Sequence, residues 1–181
     1  MKTITLKMII DEMKSHSSTN RGLAIFLIII IILLTSGLFV VNPFIALLGA
    51  VLVIAFAFGT FKTLQESRRT RLSVKKRDFF IISSNCSDKD ITYDSDGDVY
   101  NLTFQNGAKV IMSIGNTVFW GDPNAKILSD AYSGTLPGDS FYLVYENEND
   151  TPLFIIPQKY CQLDMRGFWD DGGIIRPIKS K

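Results

Sequence analysis

The sequence predicts a membrane α-helical hairpin followed by a small all-β barrel, OB-like or SH3-like, with one short helix. Three observations predict it. Residues 23–41 and 44–61 are long uncharged stretches separated only by Asn42-Pro43. Beyond residue 78, short segments rich in Phe, Tyr, Ile and Val alternate with turn residues, the pattern of strands and hairpins. The charge also changes sign along the chain. Residues 1–77 carry eleven positive and three negative side chains, a net +8, whereas residues 78–181 carry eight positive and fifteen negative, a net −7.

The length of 181 residues, 46% of them hydrophobic and 20% charged, allows one compact domain plus a smaller element. A total charge of +1 built from opposite halves excludes a uniformly basic nucleic-acid binder and a uniformly acidic disordered chain. Two Cys and one His leave little for a zinc site or a disulfide framework.

Residues 1–21 read as an amphipathic cytoplasmic leader. Leu6, Ile9, Ile10 and Met13 recur at helical spacing among Lys2, Lys7 and Lys14, and Ser17, Ser18, Thr19 and Asn20 end the helix. His16 lies in that polar stretch with no second ligand nearby. Residues 22–61 follow as a two-helix transmembrane hairpin. Each span of eighteen or nineteen residues would cover about 27 to 29 Å of a hydrocarbon core about 30 Å thick. Proline at position 43 places the turn. The leader is too long for a cleaved signal peptide, and no small-residue cleavage site separates the spans. Ala46, Ala50, Val53 and Ala57, and the pair Ala55 and Gly59, provide close-packing stripes, either within the hairpin or between subunits. Neither span holds an ionisable residue, which argues against a pore.

Both flanks of the hairpin are positive and its turn is uncharged, so both termini are expected in the cytoplasm, with the chain a multi-pass protein of the cell membrane. In that compartment Cys86 and Cys161 are expected as free thiols, a bridge between them remaining open under the opposite orientation. The formal glycosylation sequons at Asn85, Asn101 and Asn149 are then chance matches.

Residues 62–78 form a basic juxtamembrane linker. Arg68, Arg69, Arg71, Lys75, Lys76 and Arg77 place six positive charges within ten residues, each contributing about 1 kcal/mol near anionic lipid. The lipid bilayer and its anionic head groups are the partners this composition suggests. No aromatic side chains are interleaved for stacking on bases, so no nucleic acid is expected.

Residues 79–164 make the β-barrel domain. Strands are expected at 79–83, 99–105, 108–113, 140–145, 152–156 and 159–163, with Asn106-Gly107 closing a type I′ hairpin. Asp122-Pro123 starts, and Gly134 stops, a helix over 123–132 with Ile127, Leu128 and Ala131 inward. Three strands, a helix and two or three further strands give the order of a five-stranded OB barrel; an SH3-like barrel or a small curled sheet fits nearly as well. The core draws on Phe79, Phe80, Ile82, Leu102, Phe104, Val110, Ile111, Phe141, Leu143, Phe154 and Ile156. Residues 165–181 form a C-terminal tail whose Phe168 and Trp169 are candidate interaction anchors, the alternative being that they pack back on the barrel.

Few residues suggest chemistry. Asp94, Asp96 and Asp98 alternate as in a calcium loop, yet the Gly and Glu that such a loop needs at its sixth and twelfth places are Val99 and Gln105. They read as an acidic hairpin turn or a weak cation site. The domain has no histidine to activate a nucleophile, no phosphate-binding Gly loop and no Cys-x-x-Cys. No catalytic residue, metal site or cofactor is expected, and the chain is read as a non-enzyme.

Gly138-Asp139-Ser140-Phe141-Tyr142-Leu143-Val144-Tyr145, followed by Ile156-Pro157-Gln158-Lys159-Tyr160, resembles a stretch of small bacterial membrane proteins with an amino-terminal hairpin and a β-rich cytoplasmic domain. The resemblance covers about twenty-five residues and implies a fold, with Gly-Asp as a turn before a strand, but no activity. The layout also looks like that of membrane-bound antiphage effectors whose barrel binds a cyclic nucleotide, without a shared motif. The expected function is a membrane-anchored cytoplasmic binding or scaffolding module with a protein partner or a homo-oligomer. The alternative is a ligand-gated membrane effector sensing a small anion such as a cyclic nucleotide, for which Lys109, Lys126 or Lys159 would have to line a basic pocket.

Overall fold

The computed structural model of the 181-residue chain describes residues 1–38, 43–94, 97–113, 116–121, 127–146 and 151–179. The chain divides into two units, one of Glu12–Leu72 and one that joins Met1–Asp11 to Ser73–Lys181.

The first unit consists of two helices. Helix α1 runs from Leu6 to Leu38 and α2 from Pro43 to Lys76. Pro43 sits at the first helical position, where its missing N–H costs nothing. Ser17, expected to end a leader helix, lies inside α1 because its polar group is satisfied within the unit. Its hydroxyl donates to the Ser67 carbonyl at 2.9 Å, the Ser67 hydroxyl donates to the Ser17 carbonyl at 2.8 Å, and the two oxygens lie 3.0 Å apart. Both serines are buried. Arg68, Arg69, Arg71, Lys75 and Lys76, read as a linker, also lie on α2, where the cationic last turn faces the negative end of the helix dipole.

Two expectations are corrected here. Among the described residues no helix is long and apolar enough to cross a membrane. The helices that hold the apolar runs also carry charged residues, Lys7, Asp11, Glu12, Lys14 and Arg21 on α1 and Lys62, Glu66 and the basic series on α2. The membrane hairpin, and with it the multi-pass placement in the cell membrane with both termini cytoplasmic, is therefore not sustained.

Helix α2 ends in a Schellman cap. The Asp78 N–H donates to the Ser73 carbonyl at 2.8 Å and the Arg77 N–H to the Val74 carbonyl at 3.2 Å. Arg77 occupies the left-handed position usually held by glycine, with φ 51°, and its guanidinium donates to the Ile178 carbonyl.

The second unit is built on one long strand. Strand β1 covers Lys2–Ile4, β2 Phe79–Asp94, β3 Gly97–Phe104, β4 Lys109–Ile111, β5 Ser140–Glu146, β6 Phe154–Pro157, β7 Cys161–Leu163, β8 Phe168–Asp171 and β9 Ile174–Pro177, with helix α3 over Leu128–Gly134. The sheet order is β4-β3-β2-β5-β6, and the β8–β9 hairpin joins through β9. One edge of β2 pairs with β5 from Phe79 to Asn85; the other meets β9 at Ile81 and Ile82 and then β3 from Cys86 onward, with a register shift between Cys86 and Asp88.

The expected barrel does not close. The outer strand β4 is three residues long and pairs only with β3, while β6 pairs with β5 and makes a single parallel bridge, Ile155 to Thr117. Strand β7, which a five-stranded barrel would need for closure, leaves the sheet and pairs in parallel with β1 in the register Lys2 to Cys161 and Ile4 to Leu163. Residues 165–181, expected as a tail, supply a 3-10 turn and the β8–β9 hairpin.

Both faces of the sheet are apolar, because alternate residues of β2, β5 and β6 are buried on each side. On one face Cys86, Leu102, Phe104, Val110, Met112, Phe141, Leu143, Tyr145 and Ile155 pack with Ala131 and Tyr132 of α3. Phe80 stacks on Tyr145 with centroids 5.0 Å apart, and Phe104 meets Phe141 edge-on at 5.5 Å. On the other face Phe79, Ile81, Val144, Phe154 and Ile156 are buried. Of the expected core, Ile111 is the exception, 59% exposed on the outer strand. The expected start of the short helix at Asp122-Pro123 lies outside the described residues; the described helix begins at Leu128, with Ile127 exposed and Tyr132 buried instead.

Candidate functional site

Two features of the second unit are candidates for a functional site. The first is a ribbon. Beyond the bulge at Cys86, β2 and β3 continue as a two-stranded arm in the register Lys89 to Leu102, Ile91 to Tyr100 and Tyr93 to Asp98. These opposed pairs share one face, so a stripe that starts on buried Leu102 runs outward through Tyr100 and Ile91 to Tyr93. Tyr93 is 82% exposed and Ile91 36%. Asp98, opposite Tyr93, shares this face, whereas Asp88 and Asp90 alternate onto the other face of the ribbon; all three are exposed.

The base of the arm is fixed to α3. Lys89 donates from Nζ to the carbonyls of Tyr132 at 3.2 Å and Thr135 at 2.9 Å, which cap the helix C-terminus. The same ammonium lies 4.6 Å from the Tyr132 ring centroid, and Tyr132 meets Tyr100 at 4.8 Å. Burial first, then the carboxylates of Asp90 and Asp88, push the Tyr132 hydroxyl up from its ordinary range.

The second feature is a pocket walled by the C-terminal end of α3, the start of β5, the turn after β6 and the segment before Phe119. The enclosed space between its walls is about 20 Å³, room for about one water molecule. Thr117, Phe119, Thr135, Asp139, Ser140, Phe141, Lys159 and Tyr160 line it. Leu136-Pro137-Gly138-Asp139 forms a type II turn at its rim: the Asp139 N–H donates to the Leu136 carbonyl at 3.0 Å, and Gly138 has φ 96°. The Asp139 carboxylate accepts from the Leu136 N–H at 2.9 Å. Backbone bonds on both sides of this turn reach Cys86, tying the pocket rim to the root of the arm.

The polar groups of the pocket are unevenly satisfied. Thr135 donates its hydroxyl to the Ala131 carbonyl at 2.9 Å and Ser140 to the Asn85 side chain at 2.7 Å, which leaves both oxygens able to accept. Thr117 is 4% exposed, and its hydroxyl has no hydrogen-bond partner among the described residues. Lys159 is exposed at the mouth, its ammonium 5.8 Å from the Tyr160 ring centroid.

The residues singled out in the sequence are dispersed. Asp94 ends β2 and Asp98 lies in β3, while Asp96 is outside the described residues. Among the described residues no cluster of three His, Cys, Asp or Glu side chains could hold a metal. Phe168 is buried, whereas Trp169, its neighbour on β8, is 47% exposed and lies opposite Arg176, whose guanidinium sits 5.6 Å from the Phe80 ring. Of the three lysines named for a basic pocket, Lys159 lines the pocket, Lys109 lies on β4 and Lys126 is outside the described residues. Cys86 and Cys161 are both free and buried, and burial raises both thiols above their ordinary range. Sequence reasoning missed Thr117 altogether, since a threonine in a polar loop carries no signal of burial. The alternation of Ile91, Tyr93 and Tyr100 with carboxylates did carry one for the arm. No protein-family model matches the chain, no curated protein matches it in sequence, and no solved structure matches it.

Proposed function

We propose that this chain is a non-catalytic binding module that docks a partner protein through the β2–β3 arm. The observation that carries the reading is the apolar stripe, which leaves the core at Leu102 and ends on Tyr93, 82% exposed among the described residues. A domain spends apolar surface in this way where a second surface covers it. Tyrosine is a favourable anchor because it buries a large rigid ring and keeps a polar tip. The carboxylate of Asp98 beside Tyr93, with the net −7 of residues 78–181, sets the partner's chemistry: a cationic protein surface with an apolar centre. The same charges guard the open edges of the ribbon against pairing with other strands.

A photo-crosslinking residue placed at Tyr93, with one at exposed Ile127 as control, tests the proposal in intact cells. The expected result is one protein captured at 93 and not at 127, through a cationic surface, with capture weakened in D98N and by salt. Equal capture at both positions, or capture indifferent to D98N, refutes it.

A further inference from the structure

We infer that the apolar face of the α1–α2 hairpin binds the same face of a second copy of this chain, closing a four-helix bundle, at a surface separate from the arm. The first unit buries polar side chains and exposes apolar ones. Ser17, Thr60, Ser67 and Thr70 are buried, whereas Phe26, Phe58 and Phe61 are 61%, 76% and 66% exposed, and Ile25 and Ile29 are exposed as well. A unit that folds alone does the reverse, and helices with apolar side chains turned outward are covered by another element.

The exposed side chains share one side of the hairpin. Ser17 and Ser67 bond each other across the two helices, and the four-residue connection between Leu38 and Pro43 makes those helices antiparallel. Counted from these serines at about 100° per residue, Ile29 and Phe61 are each rotated about 120° in the same sense. Equal rotations on antiparallel helices lean to one side, so Ile25, Phe26 and Ile29 of α1 and Phe58 and Phe61 of α2 make a single face. The three phenylalanines alone expose about 400 Å², taking about 200 Å² for a whole ring side chain. That is about half of the roughly 800 Å² that each partner gives to a stable interface, before the isoleucines are added.

The chemistry of the face selects its occupant. No charged residue occurs from Gly22 to Phe61, so the cationic partner drawn to the arm would find no carboxylate here. A second copy brings an identical uncharged face, which meets the first about a twofold axis without burying a charge. Two antiparallel hairpins then supply the four helices of an up-and-down bundle.

Sedimentation velocity of the full chain tests this, with phosphatidylcholine vesicles as a second arm. The expected species has the mass of two 20.3 kDa chains and stays in solution when the vesicles are pelleted. Phe58→Glu with Phe61→Glu is expected to raise the dissociation constant at least about a hundredfold, while Phe58→Leu with Phe61→Leu keeps the dimer. Ile111→Glu, at an exposed position of the second unit, is expected to leave the mass unchanged. The mass of the unaltered chain decides even if the glutamate variant fails to fold. A single-copy mass, a discrete mass other than two copies, pelleting with the vesicles, or a folded glutamate variant that dimerises like the parent overturns the inference.

Discussion

Replacing Gly167 with alanine tests how tightly the amino-terminal segment is seated. A Cβ at position 167 would lie 2.9 Å from the Leu6 Cβ and 3.1 Å from its Cδ2. The nearer contact is with a Cβ, which cannot rotate away, so backbone must move: either the 3-10 turn Met165–Gly167 or the first turn of α1. Overpacking of this kind costs about 1 to 3 kcal/mol. The turn has little freedom to yield, because Asp164 caps it through the Arg166 N–H at 3.1 Å and also donates its own N–H to the Ile4 carbonyl at 2.8 Å. Gly134→Ala is the matched control. No atom lies within 4 Å of a Cβ built there and the residue closes a helix, so alanine is expected to be neutral or to stabilise by up to about 1 kcal/mol. Urea denaturation of both variants, followed by tryptophan fluorescence, gives the comparison. If G167A is as stable as the parent, the close seat of Leu6 on the 165–167 turn is wrong; if G134A loses as much as G167A, the loss does not come from the contact.

Three further outcomes follow from geometry described above. Ser17→Ala removes the two contacts of its hydroxyl with Ser67 and is expected to cost about 1 to 2 kcal/mol, and S17A/S67A less than the sum of the single variants because they share the bond between the two oxygens, as a double-mutant cycle by thermal unfolding would show. Arg77→Gly relieves the left-handed strain at φ 51°, worth about 1 kcal/mol, but loses the guanidinium bond to Ile178; it is expected to be neutral to stabilising, whereas Arg77→Ala, keeping the strain and losing the bond, destabilises by calorimetry. The buried thiols of Cys86 and Cys161 titrate higher in the folded chain than in the unfolded one, so the unfolded chain releases protons first as pH rises. Their contribution to stability is complete below about pH 8.5 and declines above it, and C86A/C161A is expected to flatten the decline when denaturation midpoints are compared between about pH 8 and 10.

Local chemistry made part of this fold legible. Asn106-Gly107 marks the β3–β4 hairpin at its true position. The turn differs in type: Gly107 alone takes positive φ, at 84°, and the Gly107 N–H returns to the Phe104 carbonyl at 2.9 Å, a three-residue loop rather than a type I′ pair. The type I′ turn lies between β8 and β9, where Gly172 and Gly173 have φ 62° and 95°. Asp171-Gly172-Gly173 between two apolar segments carried that signal, obscured by reading the region as a tail. Gly134 stops α3 where its position suggests. The Gly138-Asp139 turn before β5 was equally visible. What no local pattern holds is pairing at long separation. Lys2, Thr3 and Ile4 look like the approach to an amphipathic helix, and only contact with Cys161–Leu163 makes them a strand. Hydropathy likewise overweighted residues 28–34, because a count of apolar residues does not register that the serines and charges on either side continue the same helices. The arm was half legible: two strands around an acidic segment could be read, while the exposed stripe required the register. The pocket was not, since its donors and acceptors come from four separate segments.

The parallel pairing of β1 with β7 sets an order of events on the ribosome. At ordinary elongation rates Cys161 is joined to the chain roughly ten to thirty seconds after Lys2. Until then Ile4 and Ile9, fully buried in the finished protein, have no partner strand and no complete core to enter. The earlier-made strand is thus fixed only after the later one has emerged, and its apolar residues stay uncovered for that interval.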